Sequence, residues 1–137
     1  MFSFLKNLFS NNNDNTKKVN TSNLKEIIDT NSLEKELSQL KEQLSISTND
    51  NKIALLNKLG EVCTKLNKID DAISYYEQSL TEYPSLGKAS TNLLKLYNIK
   101  RKEASLSKDD KLIQLYLNKI DDLMKLNKET MKKSSTY

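Results

Sequence analysis

Hydrophobic positions recur every three or four residues along most of the chain, which is the spacing of one helix face. The clearest run is a leucine stripe made of Leu33, Leu37, Leu40 and Leu44. It predicts an amphipathic helix packed on the rest of the domain, because two heptads are too few to establish a coiled coil. Self-association of two copies through the stripe is the alternative. The segment DTNS at 29–32 predicts a break with a new N-cap, so residues 21–47 are expected to form leading amphipathic helices.

Further helices follow the leucine stripe. Residues 51–66 show a buried side at helical spacing, and Asn67 suits the left-handed conformation that closes a helix. The next helix begins at Asp70 or Asp71 and stops before Pro84, which disfavours helical geometry at the preceding residue. Since about three residues join these two helices, they must lie antiparallel. A helix at about 85–102 and a final one starting at 109–110 complete the series.

Composition supports helices and excludes several kinds of site. The 137 residues contain two glycines and one proline, too few for the many turns of a sandwich or barrel. The absence of histidine excludes a zinc cluster with histidine ligands and a serine–histidine–aspartate triad. The lone Cys63 predicts a buried hydrophobe and a reducing, cytoplasmic setting. No metal, cofactor or catalytic residue is expected, and the chain is predicted not to be an enzyme.

Positive charge is concentrated toward the end of the chain. Residues 84–137 carry twelve basic and six acidic side chains, a net charge of +6. All but one of the protein's basic residues are lysines, whereas bidentate phosphate and guanine contacts favour arginine. This argues against nucleic acid as a partner and for a solvated surface. Residues 128–137 are predicted to form a disordered basic tail.

The first nine residues, MFSFLKNLF, hold every phenylalanine of the protein. They are too few to span a bilayer. We predict that a set of apolar side chains here anchors the protein weakly at a membrane surface, such as the inner face of the cell membrane, or to a partner: Phe2, Phe4, Leu5, Leu8 and Phe9. Packing into the domain and a disordered tail are the alternatives. The polar residues that complete segment 1–20 are expected to act as a flexible Asn-rich tether.

Four features between residues 51 and 84 share the spacing of a known repeat: Leu59-Gly60, Ala72, Tyr76 and Pro84. The segment resembles a tetratricopeptide repeat, a pair of antiparallel helices of 34 residues. A second, degenerate unit spans 85–127, where Leu93-Leu94 follow Leu59-Gly60 by 34 residues. The resemblance implies an all-α fold of antiparallel helix-pair repeats over 48–127, a short α-solenoid preceded by the leading amphipathic helix.

The resemblance also implies a function, because the first helices of such pairs line a groove that holds a peptide or a partner helix. The expected function is therefore a non-catalytic protein–protein interaction module, an adaptor or scaffold. The polar sides of the two first helices supply the predicted groove residues: Asn57, Glu61, Thr64, Lys65, Lys88, Thr91, Asn92, Lys95 and Asn98. The Asp-Asp pairs at 70–71 and 109–110 fit helix capping better than catalysis, since neighbouring helical side chains point about 100° apart.

Overall fold

The structure, a computed structural model, describes residues 16–135. Five helices make up nearly all of this range. They are α1 (Thr16–Ser45), α2 (Asn49–Lys65), α3 (Ile69–Glu82), α4 (Lys88–Leu106) and α5 (Asp110–Ser135). No strand occurs within that range. The predicted all-α class is confirmed.

Each helix packs on the next one in the chain. Lys52 near the start of α2 forms a 2.6 Å ion pair with Glu82 at the end of α3. In the α4–α5 pair, the Ser90 hydroxyl near the start of α4 donates to Asn127 Oδ1 in the second half of α5, at 2.7 Å. The α2–α3 and α4–α5 pairs are therefore antiparallel. No helix in this part of the chain is long and apolar enough to cross a membrane.

The same three-residue turn joins α2 to α3 and α4 to α5. Asn67 and Lys108 both have positive φ, 58° and 56°. In each turn the following amide closes the helix end: Lys68 N donates to Cys63 O at 2.8 Å, and Asp109 N donates to Ala104 O at 2.9 Å. This is the hydrogen bond of a Schellman ending. The predicted left-handed conformation of Asn67 is confirmed, and two helix pairs within residues 16–135 are closed in the same way.

The core runs between the helices from α1 to α5. Leu37 and Leu40 of the leucine stripe are buried in it, and Leu33 and Leu44 pack half-buried at its edge. The stripe thus packs against this chain's own helices, α2 foremost. Ala72 of α3 is fully buried in the same cluster, as its small size and spacing predict.

Helix bounds differ from the sequence predictions in α1, α4 and α5, and α4 covers Lys88–Leu106 rather than about 85–102. α1 runs unbroken through 29–32, because Asp, Thr, Asn and Ser each cost less than about 1 kcal/mol in a helix interior and none is Gly or Pro. α1 also includes 16–20, which were expected to belong to the tether. α5 continues to Ser135 where a disordered tail was expected over 128–137, since its lysines and methionine favour helix and Lys132 and Lys133 sit at the negative end of its dipole.

A polar cluster ties α3, α4 and α5 together. The Tyr97 hydroxyl donates to Glu77 Oε2 at 2.6 Å, and Lys119 Nζ donates to the same oxygen at 2.8 Å. Lys119 also lies 5.6 Å above the centre of the Tyr97 ring, within reach of a cation–π attraction. Burial, followed by the bond to Glu77, raises the pKa of Tyr97 well above its ordinary value.

Replacing Tyr97 with phenylalanine removes this hydrogen bond and leaves the ring in place. We expect a loss of about 1–3 kcal/mol in the free energy of unfolding, the usual value for a bond to a charged group. Because the pKa of Tyr97 is raised in the folded state, this side chain ionises first in the unfolded chain, from about pH 10 upward. The difference in free energy of unfolding between the wild type and Tyr97→Phe should therefore shrink as pH rises above about 10. Urea unfolding at a series of pH values from neutral upward measures both effects. The exposed Tyr83→Phe is the control; a gap that stays constant with pH would contradict the account.

Candidate functional site

Six of the nine predicted groove residues line one pocket between α2 and α4, with a volume of about 790 Å³. We call it the α2–α4 groove. The six are Asn57, Glu61, Lys88, Thr91, Asn92 and Lys95. Sequence reasoning missed further lining residues, among them Lys58 of α2 and Tyr76 of α3. The spacing of α2 and α4 along the chain therefore does bring their polar sides together.

Tyr76 reaches the α2–α4 groove from α3. Its ring lies against Gly60, where an added Cβ would come within 2.7 Å of two ring carbons. Its hydroxyl accepts a hydrogen bond from Asn92 Nδ2 at 3.1 Å. Burial raises the pKa of the Tyr76 hydroxyl above its ordinary value. Because Gly60 has no side chain, the Tyr76 ring of α3 can pack directly on α2. From there its hydroxyl accepts the hydrogen bond from Asn92 of α4.

Asn57 is fixed by a neighbour on α3. Ser79 of α3 is buried, and its hydroxyl donates to Asn57 Oδ1 at 2.5 Å. The oxygen of Asn57 is therefore engaged, and its amide NH₂ remains a donor to the groove. The signal available in the sequence was a polar residue, Ser79, at a core position.

Lysine dominates the charge of the α2–α4 groove. Glu61 pairs with Lys65 at 3.3 Å and with Lys58 at 3.7 Å. The hydrogen bond from Lys65, together with the charges of Lys58, Lys65 and Lys88, lowers the pKa of Glu61 despite a desolvation cost. Lys88 and Lys95 form no ion pair with any residue that the structure describes. The lining residues Lys58, Lys88 and Lys95 against Glu61 give the groove a net charge of +2.

Three predicted groove residues are not among those that line the pocket. The Thr64 hydroxyl donates to the Gly60 carbonyl one turn earlier at 2.8 Å. Lys65 turns toward Glu61. Asn98 donates to the Leu94 carbonyl at 3.1 Å. Each of the three thus has at least one contact within its own helix.

The predicted anchor, Phe2, Phe4, Leu5, Leu8 and Phe9, lies outside the described residues. It stays a prediction. Among residues that are described, no three side chains of the metal-binding types Asp, Glu, Cys and His lie close enough to hold a metal ion. Cys63 is buried, and desolvation raises the pKa of its thiol, which leaves it protonated and inert.

A second cavity, of about 410 Å³, lies between α3, α4 and α5. It is bordered by the Glu77–Tyr97–Lys119 cluster and by leucines such as Leu93 and Leu123. The polar groups of that cluster already hydrogen-bond to one another. This cavity therefore offers a ligand fewer hydrogen-bond donors than the α2–α4 groove does.

Comparison with known proteins adds no family to this picture: no family model matches the chain, and neither a curated protein nor a solved structure shows significant similarity to it.

Proposed function

We propose that this protein is a non-catalytic interaction module whose α2–α4 groove binds a peptide or helix of another protein. The observation that carries the proposal is the groove itself, a concave site with a net positive lining and two lysines, Lys88 and Lys95, that lack an ion-pair partner among the described residues. Charged groups left unpaired beside a cavity are available to a ligand at little cost to the fold.

The repeat-like build of the helix pairs supports this reading. Both pairs close with the same turn, at Asn67 and at Lys108. Gly60, Ala72 and Tyr76, which carry the resemblance to a tetratricopeptide repeat, are all buried, and Gly60 contacts Tyr76. In that family the first helix of each pair lines the binding groove, and here α2 and α4 hold that place. We therefore propose a tetratricopeptide-like architecture that presents its groove to a protein partner.

The groove's chemistry indicates what kind of segment it binds. Amide donors from Asn57 and Asn92, with the hydroxyl of Thr91, suit the carbonyl oxygens of a peptide backbone. Lys88 and Lys95 suit carboxylates on the same segment, one turn or two apart. An acidic peptide is the ligand that pairs both sets of groups. As an adaptor in a reducing, cytoplasmic setting, the protein would use this groove to hold such a partner.

Selection from a library of random peptides tests the proposal. Displayed peptides are enriched on the full chain, and the selected sequences are synthesised for fluorescence-polarisation titration. We expect acidic peptides whose affinity falls at least tenfold for Lys88→Glu with Lys95→Glu, about 1.4 kcal/mol or more. Binding should also weaken with salt, since exposed charges are screened.

The matched control reverses two other exposed lysines, Lys102→Glu with Lys111→Glu, which lie outside the groove lining. The change in net charge is the same, so a general electrostatic effect would weaken binding equally in both variants. Equal losses, or peptides that bind the groove variant as well as the wild type, would place the binding surface elsewhere. Circular dichroism verifies that each variant remains helical.

A further inference from the structure

Two buried serines each bind an asparagine of a neighbouring helix. Ser79 of α3 is 1% exposed, and its hydroxyl donates to Asn57 Oδ1 of α2 at 2.5 Å. Ser90 of α4 is 4% exposed, and its hydroxyl donates to Asn127 Oδ1 of α5 at 2.7 Å. The two pairs have the same chemistry, but only the Asn57 pair lies at the α2–α4 groove.

The length of the Ser79–Asn57 bond identifies the end of the amide that faces α3. O–H···O bonds are about 2.5–3.0 Å long, whereas N–H···O bonds begin at about 2.7 Å. A separation of 2.5 Å therefore joins the serine hydroxyl to the amide oxygen, not to the amide nitrogen. Because the oxygen of Asn57 is turned toward α3, its NH₂ points elsewhere.

The NH₂ of Asn57 is open to the α2–α4 groove. Its nitrogen donates to no group among the described residues. In the same part of the chain, no buried side-chain nitrogen or oxygen lacks a hydrogen-bond partner, so this unbonded nitrogen is in contact with solvent. Asn57 is half-buried and lines the groove. A donor with a fixed direction thus faces a space that a ligand can occupy.

We propose that Ser79 is a positioning residue of the binding site: it orients the Asn57 amide so that the groove offers an N–H donor to a carbonyl or carboxylate oxygen of the bound peptide. This inference rests on the proposed function. Ser79 is buried and does not line the groove, so it acts only through Asn57. Without the hydroxyl, the amide is free to turn either end to the groove, and binding then includes the cost of ordering it.

Peptide titration of the full chain tests the role of Ser79. With one selected acidic peptide, Ser79→Ala should weaken binding about three- to tenfold, the usual value of one hydrogen bond. The loss should be the same at low and high salt, because the amide carries no charge. In a chain that already carries Asn57→Ala, Ser79→Ala should change the affinity by less than about twofold.

Ser90→Ala is the matched control for Ser79→Ala. It removes a buried serine hydroxyl that also donates to an asparagine oxygen, but between α4 and α5. Both variants should lose similar stability in urea unfolding, since each loses one bond of the same kind. Only Ser79→Ala should lose peptide affinity.

An exchange of donor for acceptor tests the chemistry of the ligand atom. Asn57→Asp keeps the shape of the side chain but offers the groove an acceptor in place of a donor. Ala54→Asp is its control, because Ala54 also lines the groove on α2 and receives the same charge. Asn57→Asp should weaken the peptide more than Ala54→Asp does. An equal or smaller loss would contradict an acceptor on the ligand.

NMR of the free protein measures the orientation of Asn57 without a ligand. The side-chain NH₂ signals are assigned by their loss in Asn57→Ala. Coupling constants should show one χ1 rotamer of Asn57 in the wild type and in Ser90→Ala, and an average of several rotamers in Ser79→Ala. Averaging already present in the wild type would refute the positioning role.

The outcomes separate this inference from the proposed function. If no selected peptide binds the wild type, the proposed function fails and this inference fails with it. If the peptide binds the wild type and Ser79→Ala equally, or if the losses from Ser79→Ala and Asn57→Ala add, only the positioning role of Ser79 is overturned.

Discussion

Replacing Ala72 with arginine is expected to remove about 3–5 kcal/mol of unfolding free energy, enough to unfold a domain of this size at moderate temperature. Ala72 is fully buried in the core cluster at the start of α3. Arginine brings both a large volume and a charge into a packed contact that accommodates neither. Thermal and urea unfolding followed by circular dichroism measure the loss.

Ser74→Arg is the matched control for Ala72→Arg. Ser74 lies on the same helix but is exposed, so the same side chain should change stability by less than about 0.5 kcal/mol there. If Ala72→Arg melts at the temperature of the control, the close approach of the first helix pair is wrong. The packing of α2 on α3 would then be wrong with it.

Gly60→Val is expected to cost about 2–3 kcal/mol, although valine is a better helix former than glycine. A Cβ at Gly60 would come within 2.7 Å of two carbons of the Tyr76 ring. That ring is 2% exposed and held by Asn92, so it has little room to move. Because Tyr76 also lines the α2–α4 groove, the same variant should weaken binding of a selected peptide.

A double-mutant cycle isolates the Gly60–Tyr76 contact. If the clash is the cause, Gly60→Val should cost much less in a chain that already carries Tyr76→Ala. Gly87→Ala serves as the control, because nothing lies within 4 Å of a Cβ there and the backbone is extended. An equal cost of Gly60→Val with and without the tyrosine ring would rule out the contact as its origin.

The helix pairs could be read from the sequence because their limits are set locally. Asn67 adopts the left-handed conformation, and Pro84 follows the end of α3 directly after Tyr83. By contrast, 29–32 offers capping residues but nothing that forbids helix, so tertiary packing of the neighbouring leucines decides and α1 continues. Residues that disfavour helix strongly predict helix ends reliably, whereas residues that disfavour it weakly do not end a helix when packing favours its continuation.

The α2–α4 groove could be predicted only in outline. Helical spacing places Asn57, Lys88 and Lys95 on compatible sides, and the structure brings them to one pocket. Spacing does not reveal that Asn57 Oδ1 is taken by Ser79, or that Lys65 is drawn to Glu61. Those pairings depend on distances between side chains of different helices or different turns.

Helix α5 shows a further limit of pattern reading. In the sequence its apolar side chains look like one broad amphipathic face. Only the burial of Leu123 beside the exposure of Met124 separates core-facing positions from open ones.

The most direct test of the proposed groove is an NMR titration of the isotope-labelled full chain with one selected acidic peptide. We predict that the largest chemical-shift changes of backbone amides occur on both sides of the groove, around Asn57 and Glu61 of α2 and from Lys88 to Lys95 of α4. The shifts should saturate with the affinity found by fluorescence polarisation and be lost in Lys88→Glu with Lys95→Glu. Shifts confined to α5 or to the cavity between α3, α4 and α5, with α2 and α4 unchanged, would contradict the account.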